Sequence, residues 1–434
     1  MATKLPENRA ESVFADYKPA YQTPQALAEA NRCLYCQDAP CIGACPTGIN
    51  IPEFIRKIAT GNLRGSARTI FDSNILGMSC ARVCPVEVLC VGDCVYNRMD
   101  QPPIQIGKLQ RYATDLAFES GWQFYEAGPD SGKKVALIGA GPASLACAHR
   151  LRRFGHACTI FEKRDVIGGL NAFGVAPYKM KADRAIEEAE WVLGIGGIEV
   201  KTGIEVGVDV SFSQLERDYD AVFVGIGLGP DRHLGVPGEE LEGVYGAVDF
   251  IEAIKLEPAS FEGVRRAVVV GGGNTAVDCV REAIGLGLGE VTMVYRGTEA
   301  KMSGYAHEWK AAKIDGARAI WRRHPIAYEG DGGRVTGVRV AVLDDDKQPI
   351  PGREELIGAD LVLVAVGQSR LLDLLKLDGV RMDSRRILTD ADGATGRPGV
   401  FAGGDLANGA KEVVNAVAEG RDAAVAIHAY LTEA

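Results

Sequence analysis

Thiols are the first chemistry this chain offers. Eight of its 11 cysteines fall between Cys33 and Cys94, in two runs: Cys33, Cys36, Cys41 and Cys45, then Cys80, Cys84, Cys90 and Cys94. Successive thiols of the first run are separated by two, four and three residues, and the run ends in Cys45-Pro46. Bacterial 4Fe-4S runs have nearly that spacing, and their last cysteine serves a second cluster. Two iron–sulfur clusters ligated by crossed runs are therefore expected. Disulfides or a structural zinc are the competing uses of these thiols, and zinc would need only four of them.

Dense thiols in an intracellular chain bind metal more often than they cross-link, because the cytosol keeps them reduced. A cytoplasmic location is what the opening Met1-Ala-Thr-Lys-Leu-Pro6 implies, since it carries no apolar signal segment, and no apolar run is long enough for a membrane span. A length of 434 residues predicts two to four domains. The formal charge of −10 argues against nucleic acid, which calls for a basic face, and leaves proteins and small molecules as partners.

Helix-period apolar positions recur in Pro24–Arg32, Ile51–Ala59 and Leu109–Ala117, so the first 125 or so residues read as helical. The turn formers of Glu126–Gly132 mark a linker. Beyond it strands alternate with helices, the pattern of a parallel α/β sheet. Two strand–glycine–helix units stand out. In the first, Val135-Ala-Leu-Ile runs into Gly139-Ala-Gly141-Pro-Ala-Ser144, a helix follows to Phe154, and the next strand ends in Glu162. Gly139 makes the tight turn, Gly141 lets a pyrophosphate approach the backbone, Ser144 is the third small residue, and Glu162 stands where an acid binds ribose hydroxyls. The second unit is Gly271-Gly-Gly273-Asn274-Thr275-Ala276, whose next strand ends in Arg296 rather than an acid. Two such units imply two dinucleotides, one flavin and one nicotinamide. Near the C-terminus Val400-Phe-Ala-Gly-Gly-Asp405 reads as a strand entering a turn, followed by a helix from about Val413 to Tyr430.

Taken together these residues resemble the pyridine nucleotide–disulfide reductase superfamily, in its branch with an N-terminal cluster domain: the glutamate synthase small subunit and the N-terminal half of dihydropyrimidine dehydrogenase. The resemblance covers nearly the whole chain. It implies an α/β fold with a helical double-cluster domain (1–128), an FAD domain in two parts (129–242 and 369–434) and an inserted NAD(P) domain (243–368). It also implies that Gly139, Gly141, Ser144, Glu162, Gly169, Leu170 and Asp405 contact FAD, and that Gly271, Gly273, Asn274, Thr275 and Arg296 contact the nicotinamide cofactor. The segment Ile106–Asp115 carries Gln110 where glutamate synthase subunits usually have glutamate, which is closer to the pyrimidine enzymes. By that resemblance one 4Fe-4S cluster uses Cys33, Cys36, Cys41 and Cys94, and the other Cys45, Cys84, Cys90 and Gln110. Cys80 is then left out, although a count of thiols alone would use all eight.

The chain ends at Ala434, without the FMN barrel of the full-length pyrimidine enzyme. The expected activity is that of the NAD-dependent electron-input subunit of the two-subunit bacterial dihydropyrimidine dehydrogenase. It would pass electrons from NADH, or NADPH, through FAD and both clusters to an FMN/4Fe-4S partner in a heterotetramer, which reduces uracil or thymine. The alternative is a glutamate synthase small subunit or a related NAD(P)H-dependent electron-transfer flavoprotein. A thioredoxin-reductase-like reading would need a Cys-x-x-Cys in the nicotinamide domain, and the only one is Cys33–Cys36. The six histidines (149, 156, 233, 307, 324, 428) show no catalytic spacing and read as surface or structural. Cys147, Cys158 and Cys279 read as core thiols. Arg296 is followed by Gly297, not a second basic residue, which favours NADH.

Overall fold

The computed structural model describes residues 4–371, 378–384 and 386–433. The first three residues of the opening, residues 372–377 and 385 of the second flavin segment, and Ala434 lie outside the described residues. Ahead of the linker the regular elements are helices: α1 (Thr23–Asn31), α2 (Pro40–Gly43), α3 (Ile51–Ala59), α4 (Leu63–Ser73), α5 (Gly77–Val83) and α6 (Ile106–Glu119). In α3, Ile51, Phe54, Ile55 and Ile58 are buried along one face at the spacing of an amphipathic helix. The Asn50 side chain caps it by accepting the Glu53 N–H. The same core takes Ile70 of α4 and Leu109 and Ala113 of α6, and six of the run cysteines pack partly buried against it.

After the linker come β1 (Lys134–Ile138), α7 (Pro142–Arg153), β2 (Ala157–Phe161), α8 (Leu170–Phe173), α9 (Ala182–Leu193), β3 (Ile198–Lys201), α10 (Phe212–Asp218) and β4 (Ala221–Val224). The chain continues through β5 (Val244–Gly246), α11 (Ala247–Leu256), β6 (Arg266–Val270), α12 (Asn274–Gly285), β7 (Glu290–Tyr295), α13 (Ala306–Ile314) and β8 (Arg318–Trp321). It closes with β9 (Arg323–Asp331), β10 (Arg334–Leu343), β11 (Pro349–Gly358), β12 (Leu361–Val364), β13 (Val400–Ala402), α14 (Asp405–Asn408) and α15 (Val413–Glu433). Two five-stranded parallel sheets result, in the orders β13-β4-β1-β2-β3 and β5-β12-β6-β7-β8. The second sheet lies between β4 and β13 in sequence, so it is an insertion into the first. Strands β4 and β12 are buried along their whole length, as parallel strands covered on both faces are.

Two parts of the fold lie outside the sequence expectation. An antiparallel sheet, β11-β10-β9, interrupts the parallel pattern, and its first hairpin turns at Gly332 and Gly333, both with positive φ. The arm before α1 also leaves the cluster domain. Phe14, 7% exposed, enters the core of the second sheet beside Phe250 and Cys279, and Tyr17 meets Tyr178 edge-on at 5.8 Å.

Buried polar contacts lock the three regions together. Glu188 of α9 is fully buried and accepts the Met78 and Ser79 N–H groups at 2.8 and 3.0 Å, at the start of α5, although burial pushes its carboxyl up to about 7. Lys255 of α11 donates to the carbonyls of Asn171, Val175 and Met180. Arg421 of α15 donates to the carbonyls of Thr47 and Ser73 at 2.8 and 2.9 Å. Packing of α15 on α7 leaves no room at Gly420: a Cβ there would lie 2.0 Å from the Ala143 carbonyl oxygen. Gly420→Ala must push the two helices apart, at about 1–3 kcal/mol for such overpacking. A lowered urea midpoint with an unchanged slope is the expected result, and an unshifted midpoint would disprove the close approach.

Candidate functional site

Loops anchored by the helical core bring the thiols to two cavities. Cys33, Cys36, Cys41 and Cys94 line one, as the crossed-run reading requires. Cys45, Cys84 and Cys90 line the other together with both Cys80 and Gln110, so the structure places five potential ligands there. The Gln110 amide nitrogen donates to the Gly77 carbonyl at 2.7 Å, and this contact leaves the amide oxygen available as a ligand atom. Cys80 is 2% exposed and hydrogen-bonds to Cys84.

All 11 cysteines are free thiols, which removes the disulfide alternative. Among the described residues no three His, Cys, Asp or Glu side chains are gathered as around a single metal ion. Burial and then neighbouring thiolates push Cys41 and Cys90 up to about 12, and burial raises Cys33. Ionising these three thiols therefore calls for the positive charge of a bound metal. Asn74, fully buried at the second cavity, has an amide nitrogen with no partner, a donor that a cluster sulfur would accept.

A cleft of ≈ 370 Å³ opens along the C-terminal edge of the first sheet, where open α/β sheets bind ligands. Gly139, Gly141, Glu162, Gly169, Leu170 and Asp405 line it. Gly139 takes a positive φ, and a Cβ there would lie 2.7 Å from the Gly225 carbonyl oxygen. Gly141 begins α7 with no side-chain cap, leaving first-turn N–H groups for a phosphate. Glu162 accepts the Ala140 N–H at 2.7 Å and the Arg164 N–H at 2.9 Å, which fixes its carboxylate at the glycine turn. Burial, with Glu419 and Glu412 nearby, pushes Asp405 up to about 6. Ser144 does not face the cleft. It is fully buried with its hydroxyl toward the Ile138 carbonyl, and it packs helix on strand. Arg164, Asn171 and Glu412 line the cleft without having been expected, and the buried Asn171 side-chain oxygen lacks a donor. That orphan acceptor and the glycine cradle fit a dinucleotide such as FAD.

The second cleft, ≈ 550 Å³, is lined by Gly271, Gly273, Thr275 and Arg296. Gly273 starts α12 without a side-chain cap, and a Cβ on Gly271 would meet the Ala365 carbonyl oxygen at 2.3 Å. Asn274 is turned away from this cleft: its side-chain oxygen accepts the Tyr305 N–H at 2.8 Å. The Tyr305 hydroxyl in turn donates to Glu412 at 2.6 Å, which ties the second cleft to the first. Arg323 and His324 also line it, brought there by β9, a placement that the isolated position of His324 in sequence does not suggest. The first turn of α15 separates the flavin cleft from a thiol cavity: Val413 and Ala416 line the former and Val414 the latter.

Two nucleotide clefts beside thiol-lined cavities define an NAD(P)H- and flavin-dependent iron–sulfur oxidoreductase. Residues 9–122 match the model described as dihydropyrimidine dehydrogenase domain II, 4Fe-4S cluster, and residues 133–420 match that of pyridine nucleotide-disulphide oxidoreductase. The glutamate synthase [NADPH] small chain of Halomonas elongata is 37% identical, covering 99% of this chain and 95% of its own length. The NAD-dependent dihydropyrimidine dehydrogenase subunit PreT of Salmonella typhimurium is 34% identical, covering 98% of each. T. acidophilum thioredoxin reductase shares the fold at 24% identity and TM-score 0.55, over 68% of this chain and 98% of its own. The chain belongs to the pyridine nucleotide-disulphide oxidoreductase family, in its cluster-bearing group with the glutamate synthase small chains. No helix among the described residues is long and apolar enough to cross a membrane.

Ligation at the second cavity is open to a direct test. With Gln110 as the fourth ligand, Cys80→Ala keeps full iron content and Gln110→Ala loses or alters one cluster. Iron and sulfide assays with EPR of the reduced protein distinguish this from the reverse pattern, which would make Cys80 the ligand.

Proposed function

We propose that this chain is an electron-input subunit. It binds NAD(P)H and FAD in adjoining clefts and delivers electrons through two 4Fe-4S clusters to a separate catalytic subunit. The observation that carries this reading is the shared wall at Val413–Ala416, which sets the flavin cleft and one thiol cavity a single helix apart, about 10 Å. Bound there, FAD supplies the conversion from hydride transfer to one-electron steps. The chain's own residues then position and insulate. Glycine turns admit phosphates, Glu162 and Asp405 are available to the ribose and ribityl hydroxyls, and Cys33, Cys36, Cys41 and Cys94, with Cys45, Cys84, Cys90 and Gln110, hold iron.

The greater similarity to glutamate synthase small chains favours a glutamate-forming amidotransferase as partner, in place of the FMN subunit first expected. Gln110 is the observation that keeps the pyrimidine partner as the second reading. Purified aerobically and reconstituted, the chain should contain about one FAD, no FMN and about eight iron atoms, and reduce a dye with NADH or NADPH. Zinc in place of iron, or iron near four, would refute the two-cluster reading. Mixing with each candidate catalytic subunit decides the partner. NAD(P)H oxidation coupled to glutamate formation supports the first, and coupling to uracil reduction the second.

A further inference from the structure

His324 is the group in the nicotinamide cleft that no dinucleotide fingerprint accounts for. Strand β8 ends at Trp321, Arg322 bends the chain with φ 57°, and β9 begins at Arg323 in a different sheet. This turn carries Arg323 and His324 to the cleft that Arg296 and the Gly271–Gly273 turn line. In dinucleotide-binding units the residue after the second strand meets the adenosine ribose, where NADPH carries its 2′-phosphate. Arg296 holds that position, and His324 lines the same cleft.

The other charges of the cleft are accounted for. Arg323 is committed to Glu355 of β11 through two hydrogen bonds at 2.7 and 2.8 Å. His233 faces Glu239 at 3.6 Å. Among the described residues Arg232 and Arg296 have no carboxylate partner, and the half-buried His324 ring makes no hydrogen bond. Burial and then Arg296 hold this ring below the usual histidine range, so it is neutral near pH 7 with no nucleotide bound.

We propose that His324 and Arg296 together seat the 2′-phosphate of NADPH, and that His324 takes up a proton when it does so, making the choice between NADPH and NADH depend on pH. This rests on the nicotinamide reading of the cleft given above. A phosphate dianion stabilises the imidazolium that Arg296 disfavours, so NADPH binding raises the histidine's proton affinity and takes up a proton from solvent. Linkage fixes the sign: affinity for NADPH rises as pH falls from about 8 toward about 6, below which the phosphate itself begins to protonate. NADH has no 2′-phosphate and gains nothing.

The test is calorimetric titration of the FAD- and cluster-loaded protein with NADP+ and NAD+ at pH 6 to 8, in two buffers of different ionisation enthalpy. The wild type should gain about fivefold to tenfold in NADP+ over NAD+ affinity between pH 8 and pH 6, with net proton uptake near pH 7. His324→Gln should keep NAD+ binding and lose both the proton uptake and most of the pH dependence. A flat selectivity in the wild type, or a slope that survives His324→Gln, would overturn the proposal while leaving NAD+ binding in place. Failure of both nucleotides to bind would instead refute the nicotinamide reading itself.

Discussion

Everything in this molecule turns on the first turn of α15. That turn is a wall with a nucleotide cleft on one side and a thiol-lined cavity on the other, Val413 and Ala416 facing one and Val414 the other. Its position is set by two adjacent residues further along the helix. The backbone of α7 reaches Gly420 so closely that no side chain fits, and Arg421 grips the carbonyls of Thr47 and Ser73 in the cluster domain. The two cavities therefore cannot separate without breaking contacts at both neighbours. Rigid placement is what electron transfer asks of a protein when cofactors carry the chemistry.

The same strategy recurs where the other regions meet. Glu188 reaches from the flavin side to the start of α5, and Lys255 reaches from the nicotinamide side into a loop that lines the flavin cleft. Each is a fully buried ionisable group satisfied mainly by backbone groups. Such contacts are directional, so they specify one docking geometry where apolar packing would tolerate several. Tyr305 and Glu412 add a side-chain bridge between the two clefts.

What the sequence made legible was whatever local spacing dictates. Ile51–Ala59 shows its helix through the interval of its apolar residues, and the two glycine turns show theirs through residues a few positions apart. Cysteine spacing announces two thiol sites built from crossed runs, but which thiols share a cavity came only with the family resemblance. Cys80 and Gln110 reach one cavity from different helices, and only resemblance ranks them. Ser144 and Asn274 occupy motif positions yet face the packing and Tyr305 rather than a cleft. Long-range placement was hidden as well. Nothing near His324 in sequence announces Arg296, and the bend into β9 that brings both to one cleft read as part of a parallel pattern.

The arm that ends in Tyr17 is synthesised before any other part of the structure, yet Phe14 fills a space against Gly285 so tight that a Cβ on that glycine would lie 2.5 Å from the ring. Its pocket does not exist until α11 and α12 have left the ribosome. The helical domain that follows the arm can form early, as N-terminal domains generally do, but the arm itself must wait through the production of more than half the chain. During that interval Phe14 and Tyr17 are exposed aromatic residues on an unanchored strand. The inserted domain thus takes a core residue from an arm far from it in sequence, and its packing joins Phe14 to Phe250 and Cys279.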